Sequence, residues 1–155
     1  MTSPFLMRPV GHVRCDRSEA IDDDWDSVPA RIELDTAMFD AEALKGLETF
    51  SHTEVIFLFD RVPDAKIVTG ARYPRGNTDW PKIGIFAQRG KNRPNRLGAT
   101  VCEILSVEGT MLHLKGLDAI DGTPVLDIKP VMSGFQPRGE LREPGWAKDI
   151  METYW

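Results

Sequence analysis

Four cations stand within eight residues at Arg89-Gly90-Lys91-Asn92-Arg93-Pro94-Asn95-Arg96, with no acid among them. Guanidinium groups present planar, paired N–H donors that match a carboxylate or a phosphate. Pro94 stiffens the loop, so part of the ordering cost of holding an anion is already met. A solvated basic loop is the competing reading of the same residues. A second segment runs Leu117-Asp118-Ala119-Ile120-Asp121-Gly122-Thr123-Pro124-Val125-Leu126-Asp127-Ile128-Lys129-Pro130. Asp118 and Asp121 can accept hydrogen bonds from ribose hydroxyls or from an ammonium group. If residues 125–129 are extended, Asp127 and Lys129 project to the same side, and an ion pair within the strand becomes an alternative use for both.

Other chemistries find no support. Ser51 and His52 are neighbours in sequence, whereas a nucleophile and its base need to be neighbours in space. His12, His52 and His113 have no metal-ligand spacing, so no metal site is expected. Gly84 to Gly90 matches neither the dinucleotide nor the P-loop pattern. One Asp121-Gly122-Thr123 turn lacks the second carboxylate an aspartic protease requires. No catalytic acid or base can be named. Trp25, with Asp24 and Asp26 on either side, either packs on the body of the fold or lids a pocket and stacks on a base.

The net charge of −5 conceals a division. Asp16 to Asp26 holds six acids and one base, while Arg61 to Arg96 holds nine bases and two acids. An acidic chain can therefore still turn a basic face to phosphates. With 155 residues, 41% hydrophobic and 28% charged, the chain reads as one soluble globular unit. Its longest apolar run, Val55 to Phe59, is far short of the ~20 residues that span a bilayer, and the opening residues do not read as a signal peptide. Cys15 and Cys102 show neither ligand nor redox spacing, so a reduced, cytoplasmic protein is expected.

The elements that must position these residues are mostly short apolar runs punctuated by Gly, Pro and Asp. Strands are predicted at Pro9–Cys15, Ala30–Leu34, Thr53–Phe59, Ala65–Ala71, Lys82–Gln88, Ala99–Val107, Thr110–Lys115 and Val125–Ile128. Thr53–Phe59, β-branched and aromatic, reads as buried on both faces. Val107-Glu108-Gly109-Thr110 suits a hairpin turn. Asp40 is a fair N-cap for a helix leading to Phe50. Trp146, Ile150 and Tyr154, spaced near four, suggest a short docked helix. The expectation is a mainly β fold, a small closed or nearly closed β-barrel of about seven strands with one or two short helices. Residues 1–132 would form the barrel and 133–155 an arm.

At its two chemical segments the sequence resembles the TsaA-like (TrmO/VirR-type) family of β-barrel S-adenosylmethionine-dependent methyltransferases. The matching stretches are Gly84-Ile85-Phe86-Ala87-Gln88-Arg89, Arg93-Pro94-Asn95, Leu97-Gly98, Leu117-Asp118 and Asp121 to Pro130, joined by Gly46-Leu47-Glu48, Phe50-Ser51-His52 and Val10-Gly11 with Arg14. The resemblance implies S-adenosylmethionine as cofactor, a homodimer with the cofactor near its interface, and N6-methylation of threonylcarbamoyladenosine at position 37 of tRNA. It places His52, Thr53, Arg89, Leu97, Asp118, Ala119, Ile120 and Asp121 against the cofactor, with Trp25 suggested beside them. Arg93, Asn95 and Lys129 would lie close by and orient the acceptor. Arg96 stands where the family commonly has proline, and acids flank Trp25 where the tRNA enzymes carry arginine. The same cofactor with a small-molecule acceptor is therefore the alternative, and a non-catalytic S-adenosylmethionine-binding module a third reading.

Overall fold

The computed structural model describes residues 2–155; Met1, the first residue of the expected barrel unit, lies outside the described residues. Its strands are β1 (Gly11–Arg14), β2 (Ala30–Leu34), β3 (His52–Leu58), β4 (Ala71–Arg72), β5 (Ile83–Gly84), β6 (Leu97–Glu108), β7 (Met111–Lys115) and β8 (Pro124–Pro130). Six of them close a barrel in the order β1-β2-β7-β6-β3-β8, while β4 and β5 pair as a separate ribbon. Every barrel pairing is antiparallel. The mainly β expectation holds, with six strands in the barrel rather than about seven.

Alternation builds the barrel. Val13, Ile32, Val55, Phe57, Leu112, Leu114 and Val125 point inward and are essentially inaccessible. On β3 the inward Thr53, Val55 and Phe57 alternate with partly exposed Glu54, Ile56 and Leu58, so this strand is not buried on both faces. The run of β-branched and aromatic residues reflects propensity for the pleated surface, and a barrel strand packs only its interior face. The β6–β7 hairpin turns on Gly109-Thr110, with Glu108 opposite Met111. Gly109 takes φ 61° at the first turn position, as a type II′ hairpin requires.

Two expected strands shrink to two residues each. In 65–71 the backbone closes on itself instead: Lys66 and Ile67 donate to Pro63 and Asp64, and Val68 to Asn92. In 82–88 a 3-10 turn over Ile85–Ala87 follows β5, and the buried Gln88 side chain donates to the carbonyls of Arg72 and Ile83. The helix expected after Asp40 is two 3-10 turns, Ala41–Leu44 and Leu47–Thr49. Asp40 does cap the first, accepting from the Glu42 N–H at 2.9 Å, but Gly46 at φ 92° breaks the run between them. In the arm, α1 spans Gly145–Ile150. No helix among the described residues is long and apolar enough to cross a membrane.

Candidate active site

The site begins with a gap in the barrel's hydrogen bonding. Strand β7 stops at Lys115, opposite Glu103, so residues 97–102 of β6 have no strand partner on that side among the described residues. The chain leaving β7 turns at Gly116 and brings Asp118 to the bare edge. There the Thr100 hydroxyl donates to Asp118 Oδ1, and Arg89 Nη2 donates to the Ala99 carbonyl. The other Asp118 oxygen, Oδ2, accepts from the Tyr154 phenol. Tyr154 is carried in by the arm, which is stitched down by N–H donation from Asp24 to the Thr153 carbonyl (3.1 Å) and from Trp25 to the Tyr154 carbonyl (3.0 Å).

This wiring moves protons predictably. Burial first, and the Asp118 charge second, hold the Tyr154 phenol above its ordinary range, so it remains a donor. The Cys102 thiol is pushed up by the same two causes, burial again the larger, and Cys15 is raised chiefly by burial. Acids that keep their protons in the fold but lose them when unfolded make stability fall as pH rises through their unfolded values, roughly 8.5 for Cys and 10 for Tyr. Urea denaturation from neutral to alkaline pH is expected to show that decline, and Tyr154→Phe should flatten its upper part. An unaltered profile in the variant would place the phenol outside this linkage.

Asp121 is tied into the frame. Its Oδ1 accepts from the Cys15 N–H at 3.2 Å, its own N–H donates to the Arg17 carbonyl at 2.7 Å, and its carbonyl accepts from Arg61 Nη2 at 3.3 Å. The Arg17 guanidinium lies 4.4 Å above the Trp25 ring and donates to the carbonyls of Asp23 and Asp24. Trp25 is 4% exposed, packed beneath that cation.

The predicted residues divide by place. Arg89, Leu97 and Asp118 gather at the bare edge of β6, while Ala119 is buried in the core with its carbonyl accepting from the Cys15 thiol, and Ile120 and Asp121 follow in the same loop. His52 begins β3 opposite Glu103, exposed, with Ser51 Oγ 2.7 Å from its Nδ1. Thr53 faces the barrel interior, fully buried, and donates to the Lys129 carbonyl at 2.7 Å. Arg93 folds back onto the carbonyls of Gln88 (2.7 Å) and Gly90 (3.5 Å). Asn95 is exposed in the left-handed region at φ 62°. Lys129 sits on β8, separated from β6 by β3, and its Nζ lies 2.9 Å from Asp127 Oδ2. The ion pair foreseen for an extended 125–129 is present, and Asp127 raises the affinity of Lys129 for its proton.

Five of the nine cations between Arg61 and Arg96 are engaged by other groups of the chain, Arg89 and Arg93 as above. Arg75 pairs with Asp23 at 3.0 Å, Arg96 pairs with Asp64, and Arg61 donates to the carbonyls of Ser18 and Asp121. Lys66 and Lys82 remain exposed. Sequence reasoning missed Thr100, Tyr154, Arg17 and Arg61 as supports of the site. Only Tyr154 had a signal, the four-residue spacing that predicted a docked arm. Among the described residues no group of three His, Cys, Asp or Glu side chains is placed to hold a metal ion.

Residues 22–136 match the family model described as the tRNA-methyltransferase O N-terminal domain. A probable S-adenosyl-L-methionine-binding protein of Pyrococcus abyssi is 34% identical over 153 residues, covering 96% of this chain and 80% of its own length. The tRNA (adenine(37)-N6)-methyltransferase of Homo sapiens is 38% identical over 102 residues, 66% of this chain but 23% of the relative. The crystal structure of TrmO from Pseudomonas aeruginosa superposes with a TM-score of 0.72 at 29% identity, over 90% of this chain and 62% of that one. This chain thus spans less than a quarter of the human relative and under two thirds of the TrmO chain.

Proposed function

Because the chain belongs to the family of tRNA-methyltransferase O N-terminal domains, we propose that it is an S-adenosylmethionine-dependent methyltransferase. Its acceptor on this reading is N6 of adenosine 37 in tRNA, carried as the threonylcarbamoyl derivative. The observation that carries the proposal is the bare β6 edge with Asp118 and Arg89 fixed along it.

The donor set suits the cofactor. A carboxylate offers about four lone-pair sites; the hydroxyls of Thr100 and Tyr154 engage one on each Asp118 oxygen. The remainder can take ribose hydroxyls or an ammonium group. Arg89 commits Nη2 to Ala99 and keeps the rest of its fork for a carboxylate. Leu97, 40% exposed, supplies an apolar wall. Bound S-adenosylmethionine would supply an electrophilic methyl group for in-line displacement, which asks the protein chiefly for positioning. The absence of a named general base is compatible with that chemistry. In this reading the barrel (1–132) carries the site, and the arm (133–155) completes it through Tyr154.

Calorimetric titration with S-adenosylmethionine and S-adenosylhomocysteine tests the reading. Micromolar binding is expected; a folded protein that binds neither would leave only the fold. Asp121→Ala should weaken binding about tenfold by deleting a carboxylate proposed to face the cofactor, while the Arg17 and Arg61 contacts, made by the Asp121 backbone, remain. Unchanged affinity would assign Asp121 to loop structure alone.

The acidic loop around Trp25 favours a second reading, the same cofactor with a small-molecule acceptor. Salt separates the two: tRNA affinity should fall steeply as ionic strength rises, with a slope set by the phosphates contacted. An acceptor whose turnover ignores salt would favour the small molecule, and cofactor binding without turnover on any acceptor would leave a binding module. We further propose a homodimer in the cytoplasm. Sedimentation velocity of the full chain is then expected to show a species of twice the chain mass.

A further inference from the structure

Outside the edge that holds Asp118, a row of polar groups crosses three adjacent strands. His52 on β3 is opposite Glu103 on β6, and Glu103 is opposite Lys115 on β7. Together with Val101, Asp26 and Trp155 they line an open depression of about 210 Å³. Trp155 is its aromatic wall, 44% exposed. The ring is not loose: it stands edge-on to Tyr154, centroids 4.8 Å apart at 89°, and Tyr154 is anchored by its phenol to Asp118. A Cβ on Gly116 would lie 3.4 Å from Asp26 Oδ1 and 3.8 Å from the Trp155 ring, so carboxylate and indole both pack closely over the exit from β7.

From this geometry we propose that the depression is a subsite for an adenine ring, stacked on Trp155 and read at its edge by Glu103 and Lys115. A flat, partly exposed, pre-positioned indole loses little freedom when a base stacks on it, and such stacking tolerates any base face. The edge supplies the selection. Glu103 accepts only and Lys115 donates only, and they are cross-strand neighbours. Neither forms an ion pair or hydrogen bond through its side chain among the described residues, so both heads are open to a ligand. Adenine presents an amino donor beside a ring-nitrogen acceptor, the complement of that pair. Purine riboside lacks the amino group and would leave Glu103 facing only ring acceptors. Two molecules in the proposed reaction carry adenine, the cofactor and the acceptor nucleotide. The inference rests on the methyltransferase reading for that pairing alone.

The test uses the full chain, with Trp155→Ala, Trp155→Phe and Glu103→Ala, all at exposed positions. Adenosine, purine riboside, S-adenosylhomocysteine and an anticodon stem-loop RNA are titrated separately, the RNA with S-adenosylhomocysteine at saturation. A base subsite predicts that adenosine binds more tightly than purine riboside. It also predicts that Trp155→Ala weakens adenine-containing ligand binding roughly ten- to a hundredfold, with Trp155→Phe restoring much of it. Glu103→Ala, which removes the acceptor altogether, should erase the preference for adenosine over purine riboside. If S-adenosylhomocysteine is the weakened ligand and adenosine competes with it, the cofactor's adenine occupies the depression. If S-adenosylhomocysteine binds unchanged and the RNA is weakened, the acceptor's base does. Adenosine and RNA binding both indifferent to Trp155→Ala, with S-adenosylhomocysteine bound normally, would overturn the subsite and leave the cofactor reading standing. Adenosine binding that depends on Trp155 in a protein that ignores S-adenosylhomocysteine would do the reverse.

Discussion

Asp118→Ala is expected to weaken S-adenosylmethionine binding about a hundredfold or more and to lower stability by about 1–3 kcal/mol. Both effects follow from one carboxylate with two duties. Its oxygens accept from Thr100 and Tyr154, and Thr100 is buried, so deletion leaves a hydroxyl without its acceptor in a place water reaches poorly. Tyr154 loses the anchor that holds the arm, and Trp155 loses its rigid support. Asp118→Asn separates the duties. Asparagine keeps one acceptor oxygen, and hydroxyl groups can reverse their roles to accept from its amide. Most of the stability should return, while a cationic or diol ligand that needs the negative charge would remain weakly bound. Calorimetry for affinity and urea denaturation for stability read the two separately. If Asp118→Ala lowers stability but leaves affinity intact, Asp118 is a staple between barrel and arm, and the cofactor must be held elsewhere.

The elements legible in the sequence are those whose pattern is local. Ala30–Leu34 alternates strictly, and it is β2 to the residue. The Gly109 turn needs a positive φ that its sequence announces. Segments 65–71 and 82–88 have strand-like composition too, yet their backbone groups are satisfied by nearby turns and by the Gln88 side chain, which propensity cannot foresee. The site divides the same way. Asp118 and Arg89 stood out because an acid among apolar residues and a cation on a stiff loop are unusual in themselves. Their supports did not stand out, because they are long-range: Tyr154 reaches Asp118 across 36 positions and Arg61 reaches Asp121 across 60. The gap in the β6 ladder was likewise invisible, since it depends on where β7 ends relative to a partner strand. The basic run illustrates the opposite error. Nine cations in sequence suggested an open electropositive face, but Arg75 and Arg61 neutralise or brace the acidic loop and its neighbours, and Arg96 pairs with Asp64. Composition counted the charges correctly and could not say which were already engaged.

Gly98 sits next to Leu97 in the stretch that suggested a ligand-binding motif, yet its physical reason is packing. A Cβ there would lie 2.5 Å from Cε2 and Cζ of Phe57, the residue it faces across β3 and β6. Phe57 is 1% exposed, and its ring is braced edge-on by Phe59 at 5.2 Å. It therefore cannot swing aside without disturbing the barrel interior. Phe57→Ala should cost about 3–5 kcal/mol, through lost burial and the cavity left behind. Gly98→Ala should cost about 1–3 kcal/mol by overpacking the same space. If one contact underlies both, the double variant will not be the sum. The alanine methyl at 98 can enter the space the ring vacates, so Gly98→Ala should be nearly neutral in a Phe57→Ala background. A double-mutant cycle by urea denaturation measures this directly. Strict additivity would mean that Gly98 is required for another reason, such as close approach of a ligand to the β6 backbone. A cofactor titration of Gly98→Ala would then be the measurement to make, because the bare edge of β6 begins at that residue's neighbour.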